Sequence, residues 1–182
     1  MLSESRVFFS ANKPATSHCF NLANRSLRAA EIQINRIWDR PVVTGSTEIV
    51  IAEHQDIIID IHFYFIALRN LYRFLAMIVN DSAFEQFKPD LENLDKIWFC
   101  HYQKARDTLE HIDERLPGEK KEDRIIEVSD VESSRKIQYG VSLSRGIFKH
   151  SNQEWDISRE TFLKLKEDVE ILLTKVVSSC SY

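Results

Sequence analysis

The sequence predicts a mainly α-helical fold, an antiparallel bundle of four to five helices with a small β-hairpin insertion before the last helix. Three observations carry this prediction. Four glycines and four prolines in 182 residues leave little material for a turn-rich all-β fold. Apolar residues recur at spacings of three and four over several long segments, which is typical of amphipathic helices. Residues 124–150 instead carry short runs of β-branched and aromatic residues separated by Ser, Asp and Gly.

Length, charge and cysteine content bound the class of protein. A chain of 182 residues is expected to form one domain, residues 1–182, with its own core. The net charge of -4 argues against broad capture of DNA or of an anionic membrane, so we predict neither partner. Three cysteines without a CxxC pair indicate no disulfide framework and no zinc site. The first residues lack the pattern of a secretory signal, so a cytoplasmic location is expected.

The first predicted helix follows an aperiodic segment. Residues 1–15 show no periodicity and include Pro14, so they are predicted to form an extended arm. Between Ser17 and Trp38 the apolar residues follow helical spacing, and Pro41 ends the helix. The predicted inward stripe consists of Phe20, Ala23, Leu27, Ala30, Ile34 and Trp38.

The second predicted helix runs from about Glu48 to Val79, with Ser46 or Thr47 as its N-cap. Apolar residues surround much of its circumference, a pattern typical of the central helix of a bundle. The stretch 57–79 is long enough to cross a bilayer, but ionisable and amide side chains interrupt it, which favours a buried core helix. These interruptions are Asp60, His62, Arg69, Asn70 and Arg73.

The third predicted helix extends from about Leu91 to Leu116, begins near Pro89 and is stopped by Pro117 and Gly118. Its inward stripe is predicted to be Leu91, Leu94, Trp98, Ala105, Leu109, Ile112 and Leu116. After the β-rich insertion at 124–150, which is predicted to have two or three strands, Asp156 or Ser158 caps the last helix. The stripe of that helix is Phe162, Leu165, Val169, Leu172, Leu173 and Val176.

The polar side of the third helix carries the candidate catalytic residues. Asp107 and His111 are four residues apart, so they share a helix face and can touch, and Arg106 lies beside them. RNA supplies its own nucleophile, the ribose 2'-hydroxyl. A histidine with a near-neutral pKa is suited to remove that proton while an arginine neutralises charge on the phosphate. A carboxylate such as Asp107 fixes the tautomer of the imidazole. This chemistry requires no metal and no cofactor.

The segment Arg106-Asp-Thr-Leu-Glu-His111 resembles the R-x4-6-H motif of the HEPN superfamily, the higher eukaryotes and prokaryotes nucleotide-binding domains. The resemblance includes the polar residue after the arginine and the location on a late helix of a bundle. It implies a homodimeric α-bundle, often a metal-independent endoribonuclease of toxin-antitoxin or defence systems, which acts on RNA and pairs with an antitoxin protein. Arg106 and His111 would take the matching roles, with Asp107 as the polar helper. The insertion at 124–150 departs from the minimal bundle.

Other interpretations of the same residues stay open. The polar face of the third helix is also typical of a solvated surface held by ion pairs between successive turns, as in a non-catalytic helical protein-interaction module. A second string of the same spacing, from Arg145 to His150, falls in the predicted hairpin.

The sequence contains four further groups of candidate residues. His54 and His62 lack the spacing of helical metal sites. Asp56 and Asp60 share a helix face and are suited to form ion pairs with Arg69 or Arg73 of a neighbouring copy. The aromatic-basic stretch that contains those arginines indicates either core packing or stacking of single-stranded RNA. Cys100, beside two aromatic residues, is expected to be a buried, inert thiol.

Overall fold

The computed structural model describes residues 7–8, 10–40, 47–110, 134–137, 141–144, 146–150 and 153–180. Within those ranges it describes the backbone alone at residues 47–55, 106–108, 110, 134–137, 141–144 and 150. The predicted fold class is confirmed: the described chain is mainly helical, with antiparallel strands before the final helix. The buried apolar side chains of these elements form one cluster.

Helix α1 spans Pro14–Asp39 and carries the predicted stripe, with Phe20 to Ile34 buried as expected. Trp38 is only partly buried, and its Nε1 donates to the carbonyl of Ile157 at 2.8 Å, which ties the end of α1 to the start of the last helix. The prediction of an extended arm over residues 1–15 is wrong for the part of it that the structure describes. Residues 7, 8 and 10 are helical, Val7 is fully buried, and α1 already begins at Pro14, which fits the first turn because its position needs no N–H.

Helix α2 spans Thr47–Val79 and is the central element of the fold. On this helix the side chain of Asp60 is 1% exposed. Its carboxylate accepts a hydrogen bond from Arg40 at 2.5 Å and forms an ion pair with Arg36 at 3.2 Å. Arg40 also pairs with Asp56 at 3.4 Å. The interpretation that Asp56 and Asp60 receive arginines from a neighbouring copy is therefore wrong, because two arginines at the end of α1 already hold them within the same chain.

Helix α3 is composite: Lys88–Leu94 and Cys100–Glu110 are α-helical, and the π-helical turn Asp95–Phe99 joins them. In that turn the N–H of Cys100 donates to the carbonyl of Asp95, five residues back. A π turn accommodates one extra residue. The sequence predicts Trp98 as the next inward residue after Leu94. In the structure Phe99 takes that inward position, and Trp98 is half-buried.

The thiol that follows the π turn faces solvent. Cys100 is exposed, and its Sγ donates to the carbonyl of Lys96 at 3.4 Å. The expectation of a buried thiol is wrong, because it rested on the aromatic neighbours of Cys100, and the residue after the inward-facing Phe99 lies about 100° further round the helix. Ile112 and Leu116, at the end of the predicted helix, lie outside the described residues.

The strands form a four-stranded antiparallel meander of order β1-β2-β3-β4, more strands than the two or three predicted and extending past residue 150. They are β1 (Ser134–Ile137), β2 (Val141–Ser144), β3 (Ile147–His150) and β4 (Gln153–Asp156). Gly146 links β2 to β3 with φ of 87°, and a Cβ there would lie 2.6 Å from Cβ of Ser158, so only glycine fits this crossing. His150 ends a strand, so the second string of motif-like spacing lacks a helical setting.

The sheet is fixed to the bundle by aromatic packing. Phe148 of β3 and Trp155 of β4 stack with ring centroids 5.5 Å apart, and Phe65 of α2 contacts both rings. Trp155 also donates from Nε1 to the carbonyl of His101 on α3 at 2.9 Å. Contacts with α2 and α3 thus hold β3 and β4 in a defined position.

Helix α4 spans Arg159–Ser179, and its predicted stripe from Phe162 to Val176 is buried. Ser158 is its N-cap, as predicted: its Oγ accepts from the N–H of Thr161 at 3.2 Å. Asp156 strengthens the start of the helix by accepting from the N–H of Ser158 and from the hydroxyl of Thr161. In the ranges that the structure describes, no helix combines the length and apolar content that crossing a bilayer requires.

Candidate functional site

The residues of the predicted catalytic motif fall at the end of the described part of α3. Positions 106 and 107 lie in the helical segment Cys100–Glu110, as the motif requires. The side chains of Arg106 and Asp107, and all of His111, lie outside the described residues. Contact between Asp107 and His111, and their access to a cleft, therefore stay predictions.

The backbone nevertheless orients the motif on the helix. Tyr102, Ala105 and Leu109 form the buried stripe at this end of α3, whereas Gln103 is exposed. With 3.6 residues per turn, position 106 lies around the helix between that stripe and the position of Gln103, and position 107 lies next to Gln103 one turn on. The motif thus begins one turn beyond Gln103.

Gln103 belongs to a cleft of about 360 Å³ between α2 and α3. Tyr72 and Phe99 meet across the two helices at a centroid distance of 5.2 Å, and Phe65 and Tyr102 meet at 5.7 Å. Phe65, the earlier of the two α2 residues, contacts Tyr102, the later of the two α3 residues, so the helices run antiparallel. The cleft therefore extends along α3 towards the end that carries the motif. The cleft is lined by Phe65, Arg69, Tyr72, Arg73, Ala76, Met77, Asn80, Asp95, Phe99, Tyr102 and Gln103.

Two arginines give this cleft its charge. Arg69 and Arg73 are one helical turn apart on α2, both are exposed, and neither forms an ion pair with another residue that the structure describes. Arg40 and Arg159, by contrast, are held by aspartates. The positive charge of the cleft is therefore available to an anionic ligand.

The remaining lining of the cleft is aromatic and rich in hydrogen-bonding groups. Phe99 of α3 is buried and Tyr72 of α2 is half-buried, so the floor of the cleft is an aromatic surface of which Tyr72 is the more accessible part. Burial raises the pKa of Tyr72, with smaller contributions from the charges of Asp95 and Glu92, which keeps its hydroxyl protonated. Asp95, Asn80 and Gln103 supply hydrogen-bonding groups to the same cleft.

A second pocket, of about 450 Å³, lies on the other flank of α3 against β4. Several of its polar groups already have partners in the fold. Tyr102 donates to the carbonyl of Asp156 at 3.0 Å, and Trp98 donates from Nε1 to Asp168 at 2.9 Å. Glu154, also on this pocket, is held by Lys149 at 2.5 Å. We therefore regard this pocket as the joint that fixes the sheet to α3, and the α2/α3 cleft as the candidate site.

Sequence reasoning named Arg69 and Arg73, within an aromatic-basic stretch, but missed the groups that face them from α3. Asp95 and Phe99 belong to the π turn, for which the sequence carries no reliable signal.

His62 lies two turns before Arg69 on the same face of α2, and its buried Nε2 has no hydrogen-bond partner among the described residues. No cluster of metal-ligating side chains occurs in the described ranges, and the side chain of His54 lies outside them.

Comparison with known proteins gives no relative: the chain matches no family model, no curated protein and no solved structure.

Proposed function

We propose that the protein is an HEPN-like, metal-independent endoribonuclease that uses Arg106, Asp107 and His111. One observation carries the proposal. The helix that bears positions 106 and 107 lines a cleft with two exposed arginines, and neither arginine pairs with a described carboxylate. Unpaired arginines along an aromatic cleft attract a phosphodiester backbone even though the whole chain is acidic.

The proposed chemistry divides the reaction among three side chains. His111 removes the proton of the ribose 2'-hydroxyl, and the 2'-oxygen then attacks the adjacent phosphorus and expels the 5'-oxygen of the next nucleotide, which takes up a proton from water. Arg106 neutralises the charge that accumulates on the phosphate oxygens. Asp107 positions the imidazole. The products are a 2',3'-cyclic phosphate and a 5'-hydroxyl, so no metal-activated water takes part.

A homodimer would enclose the scissile phosphate between two copies of α3, and a toxin-antitoxin role would add an antitoxin protein as a partner. The second candidate is a non-catalytic helical interaction module. It is favoured by large apolar side chains that remain about half exposed on α1 and α2, with exposed fractions of 49% for Ile32, 50% for Ile59 and 51% for Phe63. Exposed apolar side chains of this kind are suited to burial in an interface with another protein.

The test is cleavage of mixed RNA in EDTA by purified protein. Wild type is expected to produce 2',3'-cyclic phosphate ends. His111→Ala and Arg106→Ala are each expected to lower the rate by about a hundredfold or more, because each removes a group that acts in the transition state. End-group analysis of the fragments identifies the chemistry.

Glu110→Gln is the matched control, since it changes a charge on the same helix without removing a proposed catalytic group. It is expected to cleave at close to the wild-type rate. Equal cleavage by wild type, His111→Ala and Arg106→Ala would contradict the proposal, as would complete loss of activity in the presence of EDTA. Absence of cleavage together with stable capture of a protein partner would favour the interaction module.

A further inference from the structure

We propose that the α2/α3 cleft is a binding site for one nucleotide unit of single-stranded RNA and prefers guanosine. Arg69 and Arg73 hold the flanking phosphates, the base lies on Tyr72 and Phe99, and Asp95 reads its edge. The inference rests on the proposed function for the identity of its ligand, but its residues are separate from the catalytic ones.

The phosphate contacts follow from the spacing of the two arginines. Side chains four residues apart on a helix have Cβ atoms about 6 Å apart, so both guanidinium groups can reach the same stretch of backbone. Guanidinium groups bind phosphate through paired N–H donors. Because no described carboxylate pairs with Arg69 or Arg73, binding a phosphate breaks no ion pair within the described part of the chain.

The base contact follows from the aromatic floor. The rings of Tyr72 and Phe99 are inclined by 41°, and Tyr72 is the more accessible of the two, so a base can stack on Tyr72 with its inner edge towards α3. The volume of about 360 Å³ lies at the small end of the range of ligand pockets and suits a single base with its sugar. A base inside a duplex cannot enter a recess between two helices, so the site selects unpaired strands.

The preference for guanosine follows from the acceptors on α3. Asp95 is half-buried, faces the cleft and forms no hydrogen bond or ion pair with another described side chain. A carboxylate only accepts hydrogen bonds. Guanine presents two adjacent donors, N1–H and the N2 amino group, which match the two oxygens of a carboxylate. Uracil presents one donor flanked by carbonyls, which a carboxylate repels.

The experiment measures binding in the His111→Ala background, so that strands remain intact, by fluorescence anisotropy at one fixed salt concentration. The probes are a short oligouridine, the same strand with one central guanosine, and the latter annealed to its complement. We expect the guanosine strand to bind most tightly and the duplex most weakly. Replacing both Arg69 and Arg73 with Gln should weaken binding of either single strand at least tenfold.

Two variants separate the other contacts. Tyr72→Leu keeps an apolar side chain against Phe99 and should weaken both single strands about tenfold through loss of stacking. Asp95→Asn should remove the advantage of the guanosine strand and leave oligouridine binding unchanged or slightly tighter. The control replaces Arg25 and Arg28 of α1 with Gln, which removes the same charge elsewhere and should change binding less than threefold, a screened charge effect.

Equal loss of binding in the α1 control and the cleft variant would overturn the proposal, since only net charge would then matter. Retention of the guanosine advantage in Asp95→Asn would overturn the assigned specificity. Cleft-dependent binding without cleavage by wild type would remove the proposed function and keep the site. RNA cleavage by wild type, combined with binding that is unchanged in the cleft variants, would keep the proposed function and overturn the binding site.

Discussion

Trp155→Ala is expected to lower the free energy of unfolding by about 4 kcal/mol, the cost typical of removing a large buried aromatic side chain. Trp155 is 5% exposed and packs against both Phe148 and Phe65, so its removal leaves a cavity at the joint between sheet and bundle. It also removes the indole hydrogen bond to the carbonyl of His101. Urea unfolding monitored by far-ultraviolet circular dichroism measures the change.

Trp155→Phe is the matched control. It keeps a ring against Phe148 and loses mainly the indole hydrogen bond, so we expect a loss of about 1.5 kcal/mol. Similar losses for the two variants would mean that the hydrogen bond to His101, and not ring packing, fixes the sheet. A loss below about 1 kcal/mol for Trp155→Ala would show that the sheet is not packed on the bundle as described.

Asp81→Ala is expected to cost about 3 kcal/mol, because Asp81 is a fully buried carboxylate that accepts from several donors at the start of α1. Its oxygens accept from the N–H of Lys13 at 2.9 Å and from the hydroxyl of Thr16 at 2.7 Å. The N–H groups of Asn12 and Ala83 donate to it as well. The same carboxylate therefore satisfies free N–H groups of a helix end and closes the turn after α2.

The contribution of Asp81 depends on pH in a defined direction. Burial alone would raise its pKa, but the hydrogen bonds from Ala83, Thr16, Lys13 and Asn12 outweigh burial and lower the pKa from 3.8 to about 2. The carboxylate therefore stabilises the fold fully above pH of about 4, and the contribution is lost as pH falls towards 2. We expect the stability difference between wild type and Asp81→Asn to shrink over that interval.

Asp90→Ala is the control for Asp81. Its carboxylate forms one exposed ion pair with Lys175, so the cost should stay below about 1 kcal/mol and change little with pH. A stability difference between wild type and Asp81→Asn that stays constant from pH 6 to pH 2 would contradict the lowered pKa.

The sequence predicts the helices well where one amphipathic period runs without interruption. In α1 and α4 the spacing of apolar residues identifies the buried face, and Ser158 is a recognisable N-cap. The period alone cannot reveal a π turn, since Trp98 and Phe99 are both apolar and either could point inward. Nor can it reveal that Arg36 and Arg40 neutralise Asp60, because that pairing depends on how α1 crosses α2.

The candidate site is predictable only in part for the same reason. Arg69, Tyr72 and Arg73 stand out in the sequence because basic and aromatic residues alternate there. Asp95 gains its place opposite them only through packing of α3 on α2 and through the π turn. The catalytic motif is a pattern within one helix, so the sequence can propose it, but the cleft beside it arises from two helices brought together by folding.

The most direct test maps where the protein cuts a single strand that contains one guanosine in a run of uridines. The base on Phe99 lies seven residues before position 106, about 10 Å along α3, so the phosphodiester that reaches the motif is one or two nucleotides from that base. Wild type should cut at one fixed bond, one or two nucleotides from the guanosine. Asp95→Asn should cut at scattered positions, and His111→Ala should not cut. Cuts that ignore the guanosine in wild type, or remain fixed in Asp95→Asn, would contradict the coupling of cleft and motif.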